Sequence, residues 1–110
     1  MIDVANIFDS VERMPACEQF ATLFDTARVK IARIVSQSYS GPEDFWYDQP
    51  ETEWVIVLRG EAELEFEEGN VVQLKAGDYL TIASHVRHRV RRTGEETFWL
   101  AVHVKEMPPR

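Results

Sequence analysis

A five-residue apolar run, Trp54 to Leu58, opens on a carboxylate at Glu53 and closes on the turn pair Arg59-Gly60. A run that is apolar throughout belongs in the middle of a sheet, covered on both sides. Downstream come a tight turn at Ala76-Gly77-Asp78 and the clustered histidines His85 and His88. A carboxylate at the start of one strand and imidazoles on another suit a small barrel with a polar site in its mouth.

The flanking sequence supplies the rest of such a barrel. Glu61 to Glu67 alternates cleanly, with Ala62, Leu64 and Phe66 on one face and glutamates on the other. Glu68-Gly69-Asn70 is a hairpin turn, because Gly and Asn tolerate positive φ. Val71 to Leu74, Tyr79 to Ala83, His85 to Val90 and Phe98 to Val104 are further short strands, with turns at Lys75-Asp78 and Thr93-Glu96. Ala27 to Tyr39 is rich in β-branched residues and reads as a strand ending at the Ser40-Gly41-Pro42 turn. Many short strands with Gly-bearing turns predict an all-β, antiparallel sandwich or barrel of the jelly-roll type. Near the start, Ile2, Val4, Ile7, Phe8 and Val11 have rough helical spacing, so a short N-terminal helical segment is expected before Met14-Pro15 breaks it. The resulting organisation is one domain: an N-terminal arm over 1–26, a barrel over 27–106 and a tail over 107–110.

Charge and composition exclude several classes of function. The net charge of −7 disfavours nucleic acid and anionic membranes, because phosphate binding needs clustered cations. Arg87, Arg89, Arg91 and Arg92 are a local exception, read as the outer face of a strand beside the Glu61, Glu63, Glu65 row. No apolar run is long enough to span a membrane, and Met1 to Val4 has no signal-peptide character. The single cysteine, Cys17, fits a reducing compartment, so a cytoplasmic location is expected. No nucleophile elbow, phosphate loop or dinucleotide fingerprint is present.

The glycine framework carries a resemblance. Gly41, then Tyr47, Gln49 and Glu53, then Gly60 follow the spacing of the first motif of small single-domain cupins. Gly69, then Ala76-Gly77-Asp78 and finally His88 follow the second. The chain therefore resembles the cupin superfamily, with its RmlC-like jelly roll, and a subgroup of unassigned function within it. Cupins that bind metal use two histidines and a glutamate of the first motif and a histidine of the second. Here Tyr47 and Gln49 stand at the two histidine positions, while Glu53 and His88 match. The prolines of the second motif are replaced by Lys75 and Ala83.

The resemblance implies a small molecule bound in the barrel mouth. Glu53 and His88 are the expected ligands of one divalent transition metal (Fe, Mn, Ni or Zn), with Gln49 and His103 supplementing them. Tyr47, Trp46 and Trp99 are the expected substrate-binding groups. If the chain is an enzyme, metal-assisted oxygenation or isomerisation follows. A metal-free ligand-binding or sensor module, and a structural cupin with a vestigial pocket, are the alternatives. A homodimer is expected by the same resemblance, and the side of the final strand that His103 faces is left open.

Overall fold

The computed structural model describes residues 2–105, and every regular element in it is a β-strand. In chain order these are β1 (Cys17–Asp25), β2 (Val29–Gln37), β3 (Thr52–Arg59), β4 (Glu61–Phe66), β5 (Val71–Lys75), β6 (Tyr79–Ile82), β7 (His88–Thr93) and β8 (Thr97–Val104). They form two facing antiparallel sheets, one of five strands in the order β1-β2-β8-β3-β6 and one of three in the order β5-β4-β7. This is the expected all-β jelly roll. No helix among the described residues is long and apolar enough to cross a membrane.

The core lies between the sheets. β3 and β8 contribute Val55, Val57, Trp99 and Ala101, and the opposite sheet contributes Ala62, Leu64, Leu74 and Val90. Each fully buried Val or Leu side chain of this core contributes roughly 1.5–3 kcal/mol relative to an exposed one. The apolar run of β3 is central in its sheet, but only one of its faces is fully covered. Glu53, Val55 and Val57 are buried, whereas Trp54, Ile56 and Leu58 on the other face keep partial exposure. Gly60 carries the chain from β3 into β4 at φ +89°, where a Cβ would collide with the Glu96 carbonyl, so no other residue fits this corner.

The expected N-terminal helix is not formed among the described residues. Residues 7–10 make a turn and a bend. The carbonyls a helix would use internally are taken by the sheet: the Arg33 guanidinium donates to the backbone oxygens of Ile7, Asp9 and Ser10 at 3.2, 2.6 and 3.4 Å. Phe8 packs edge-on against Phe98, ring centroids 5.0 Å apart, beneath the Arg59 guanidinium. The second half of the stretch expected as an arm is strand β1, an integral edge of the five-stranded sheet paired with β2 from Cys17↔Gln37 to Asp25↔Lys30. The tail expected over 107–110 lies outside the described residues.

The arginines of β7 pair with the glutamates of β4. Arg89 bonds Glu65 at 2.7 Å, and Arg92 bonds Glu63 at 3.0 Å. A bulge between Glu63 and Leu64 sets Arg92 rather than Arg91 opposite Glu63. The pairs of Arg92 are solvent-exposed and screened, so they contribute little, whereas the Arg89–Glu65 pair is partly buried.

Candidate functional site

The barrel holds a half-open cavity of about 70 Å³ whose polar lining comes from both sheets and from the loop before β3. Strand parity decides which side chains reach it. On β3, Glu53 shares the inner face with Val55 and Val57. On β7, His88 and Val90 are buried while Arg91 and Arg92 are exposed. On β8, His103 pairs in register with Glu53, and Ala101 with Val55, so His103 faces inward and lines the cavity.

Tyr47 reaches the site through a single bridge to β7. Its N–H donates to the His88 carbonyl at 2.7 Å, and the His88 N–H donates back at 3.1 Å. That pairing lays the phenol ring over the imidazole, centroids 5.7 Å apart. Gln49 follows two residues on, and its amide N–H donates to Glu53 Oε1 at 2.8 Å.

His88 is oriented from behind. Its Nδ1 lies 2.9 Å from the Val86 carbonyl, which can only accept, so Nδ1 carries a proton. Nε2 is thereby aimed at Glu53, 3.8 Å from Oε1. That separation is too long for a direct hydrogen bond. Both side chains are nearly buried, 7% and 9% exposed.

Sequence reasoning missed the other half of the polar lining. Glu18, on β1, enters the cavity beside Tyr47. Its Oε2 accepts from the Ser36 hydroxyl at 2.7 Å, and Ser36 in turn accepts from the Trp99 indole N–H at 3.1 Å. Burial pushes the Glu18 carboxyl above the usual carboxylate range, against the opposing pull of the Ser36 hydrogen bond. Burial, reinforced by the Glu18 charge, pushes the Tyr47 phenol up to about 12. The only sequence signal for Glu18 is a carboxylate in a short strand-like stretch, and that pattern marks most exposed strands equally well.

The remaining expected residues divide. Trp99 is buried in the wall, its indole spent on Ser36. Trp46 is not part of the cavity lining and sits instead near the Arg89 guanidinium, 5.9 Å from its ring centroid. The physical reason is parity: Tyr47 turns inward at its bridge to His88, so its neighbour turns out. His85 is on the surface, with Nδ1 2.7 Å from an Asp48 carboxylate oxygen.

Among the described residues, no three His, Cys, Asp or Glu side chains come together as a metal site. One oxygen of Glu53 is occupied by the Gln49 amide. Tyr47 is a poor neutral ligand, and its phenol keeps its proton far above neutral pH.

Comparison with known proteins agrees with the architecture. The model of the Cupin domain family matches residues 38–103. A Ralstonia eutropha JMP134 protein described as a putative mannose-6-phosphate isomerase is 38% identical, over 96% of this chain and 100% of that one, with a TM-score of 0.88. A cupin superfamily protein from Desulfitobacterium hafniense DCB-2 is 18% identical over 87% of this chain and 84% of that one, with a TM-score of 0.73. An RmlC-like cupin of double-stranded β-helix fold from Methanocaldococcus jannaschii is 18% identical over 96% and 93% of the two chains, TM-score 0.69. A search of curated proteins finds no match.

Proposed function

This chain belongs to the cupin domain family, and on that premise we propose that it binds a small polar molecule in its barrel without a resident metal. The observation that carries this reading is the Gln49 amide on Glu53 Oε1. In this chain the first-motif carboxylate is held by an amide donor, where the resemblance would lead one to expect a metal. Gln49, Glu53, His88 and Tyr47, together with Glu18 and His103, then act as hydrogen-bonding groups in a cavity whose remaining wall is apolar, the usual composition of a small-molecule site. The gap of 3.8 Å between His88 Nε2 and Glu53 leaves both groups free to hydrogen-bond a ligand.

The isomerase description of the Ralstonia relative is not carried over. Among the described residues no lysine or arginine lines the cavity to meet a phosphate, and about 70 Å³ is small beside the roughly 300–1,000 Å³ of drug-sized pockets.

A second reading keeps one divalent metal (Fe, Mn, Ni or Zn) on Glu53 and His88. It is favoured by His103, whose Nδ1 is buried without a partner on the strand paired to Glu53. Metal analysis of protein purified without an affinity tag and then incubated with each ion separates the two. The metal-free reading expects well under about one equivalent retained. Stoichiometric metal that is lost in Glu53→Ala and His88→Ala would establish the second.

We further propose that two copies pair through the outer face of the five-stranded sheet. Ile31, Val102 and Trp54 form one apolar row across β2, β8 and β3, and all three keep partial exposure. Tyr79, beside Trp54, is 64% exposed. Light scattering is expected to give the dimer mass, and Trp54→Lys the monomer mass; a monomeric parent protein would refute the pairing.

A further inference from the structure

The charge balance of the cavity narrows the ligand. Two carboxylates, Glu18 and Glu53, line it, and among the described residues no lysine or arginine does. Glu53 has the His88 imidazole as its facing group. Glu18 has no cation beside it among the described residues: its neighbours are the hydroxyls of Ser36 and Tyr47, with the Glu53 carboxylate further off. Both carboxylates are built into place. Glu18 is held through the relay Trp99 to Ser36 to Glu18, and Glu53 through Gln49.

The remaining wall matches the same kind of ligand. Aromatic rings of Tyr47, Phe20 and Trp99 border the cavity, and Ile34, Val55 and Leu64 supply aliphatic surface. A carboxylate beside aromatic faces attracts an organic cation through charge and through the ring quadrupoles together. The same wall disfavours an anion, because a carboxylate or phosphate would face the Glu18 and Glu53 carboxylates with only the His88 and His103 imidazoles as basic groups in the lining. Size points the same way: about 70 Å³ admits a ligand of a few heavy atoms.

We infer that Glu18 anchors the ammonium head of a small aliphatic amine, whose hydrocarbon body lies against the aromatic and aliphatic wall between the sheets. This rests on the proposal that the barrel binds a small molecule, and deepens it by assigning the ligand's charge and the residue that reads it. Glu18 and Ser36 reach the site from strands outside both motifs of the resemblance.

The test uses the indole N–H of Trp99 as reporter, since its partner Ser36 bonds Glu18 directly. Isobutylammonium, isobutanol, isobutyrate and inorganic phosphate are titrated separately into the full chain and followed by proton–nitrogen correlation spectra. Isobutylammonium is expected to bind at least about tenfold tighter than isobutanol, with isobutyrate and phosphate leaving the indole signal unmoved. Glu18→Gln is expected to cut the preference for the amine over the alcohol to below about threefold. Equal affinity for amine and alcohol, or tighter binding of either anion, overturns this inference while leaving a small-molecule pocket standing. An amine preference that survives Glu18→Gln overturns the role of Glu18. No binding by any of the four overturns the pocket reading with it. The comparison of the four probes on the parent chain decides the ligand class even if the variant fails to fold.

Discussion

His88 Nε2 stands 3.8 Å from Glu53 Oε1 across the space between the two sheets, and neither group was brought there by the other. The Val86 carbonyl orients the imidazole, and the Gln49 amide orients the carboxylate. The pair is therefore set before any ligand arrives, which spares binding the cost of ordering it.

Gln49 is the only hydrogen-bond donor to Glu53 among the described residues, so its loss leaves a buried carboxylate without one. Gln49→Ala is expected to cost about 1.5–3 kcal/mol of unfolding free energy, the range for a hydrogen bond to a charged group. Urea denaturation measures it. A loss below about 0.5 kcal/mol would mean that water replaces the amide.

Glu18 links stability to pH in the acid range. Its folded-state carboxyl is raised above the ordinary 4.5, mainly by burial, so the folded chain holds this proton more tightly than the unfolded chain does. The contribution is fully present below pH 4.5 and is lost as pH rises through the folded value. Glu18→Gln cannot ionise and escapes that loss. The difference in melting temperature, variant minus parent, is expected to be more positive at neutral pH than in acid, by calorimetry at both. An unchanged difference would place Glu18 in contact with solvent.

Tyr47 does the same in alkali. The folded chain keeps the phenolic proton up to about 12, against 10.0 ordinarily. Its stabilising contribution is present below pH 10.0 and disappears as pH rises through about 12. Tyr39 is raised too, again by burial, so it adds a slope of the same sign. Tyr47→Phe should therefore flatten the alkaline loss of stability without abolishing it, as followed by denaturation at stepped pH. A variant as alkali-sensitive as the parent would contradict the burial of this phenol.

Gly60 tests the corner that joins the two sheets. An alanine there would adopt a disfavoured positive φ and push its Cβ into the Glu96 carbonyl, which belongs to rigid backbone. Gly60→Ala is expected to cost on the order of 1–3 kcal/mol or more. Equilibrium unfolding measures the cost, and a neutral result would show that the Thr93–Thr97 turn can move aside.

The strand pattern and the turn glycines determined the barrel, because period-two alternation and positive-φ turns are local properties of a chain. The same local pattern put His88 on the inner face, since alternation with arginines leaves no other side for it. It misread the N-terminal segment, where weak helical spacing lost to carbonyl bonds from Arg33, a residue on a distant strand. It also could not say which way His103 faced, because both parities of β8 are apolar; only its register against Glu53 decided that. Glu18 shows the limit best. It becomes a cavity residue because β1 pairs with β2 and lays it beside Ser36, and Ser36 meets Trp99 from β8. The strand that opens at Glu53 thus marked where a site would be. The charge and size of that site were decided by side chains far apart in sequence, which only the closing of the two sheets brings together.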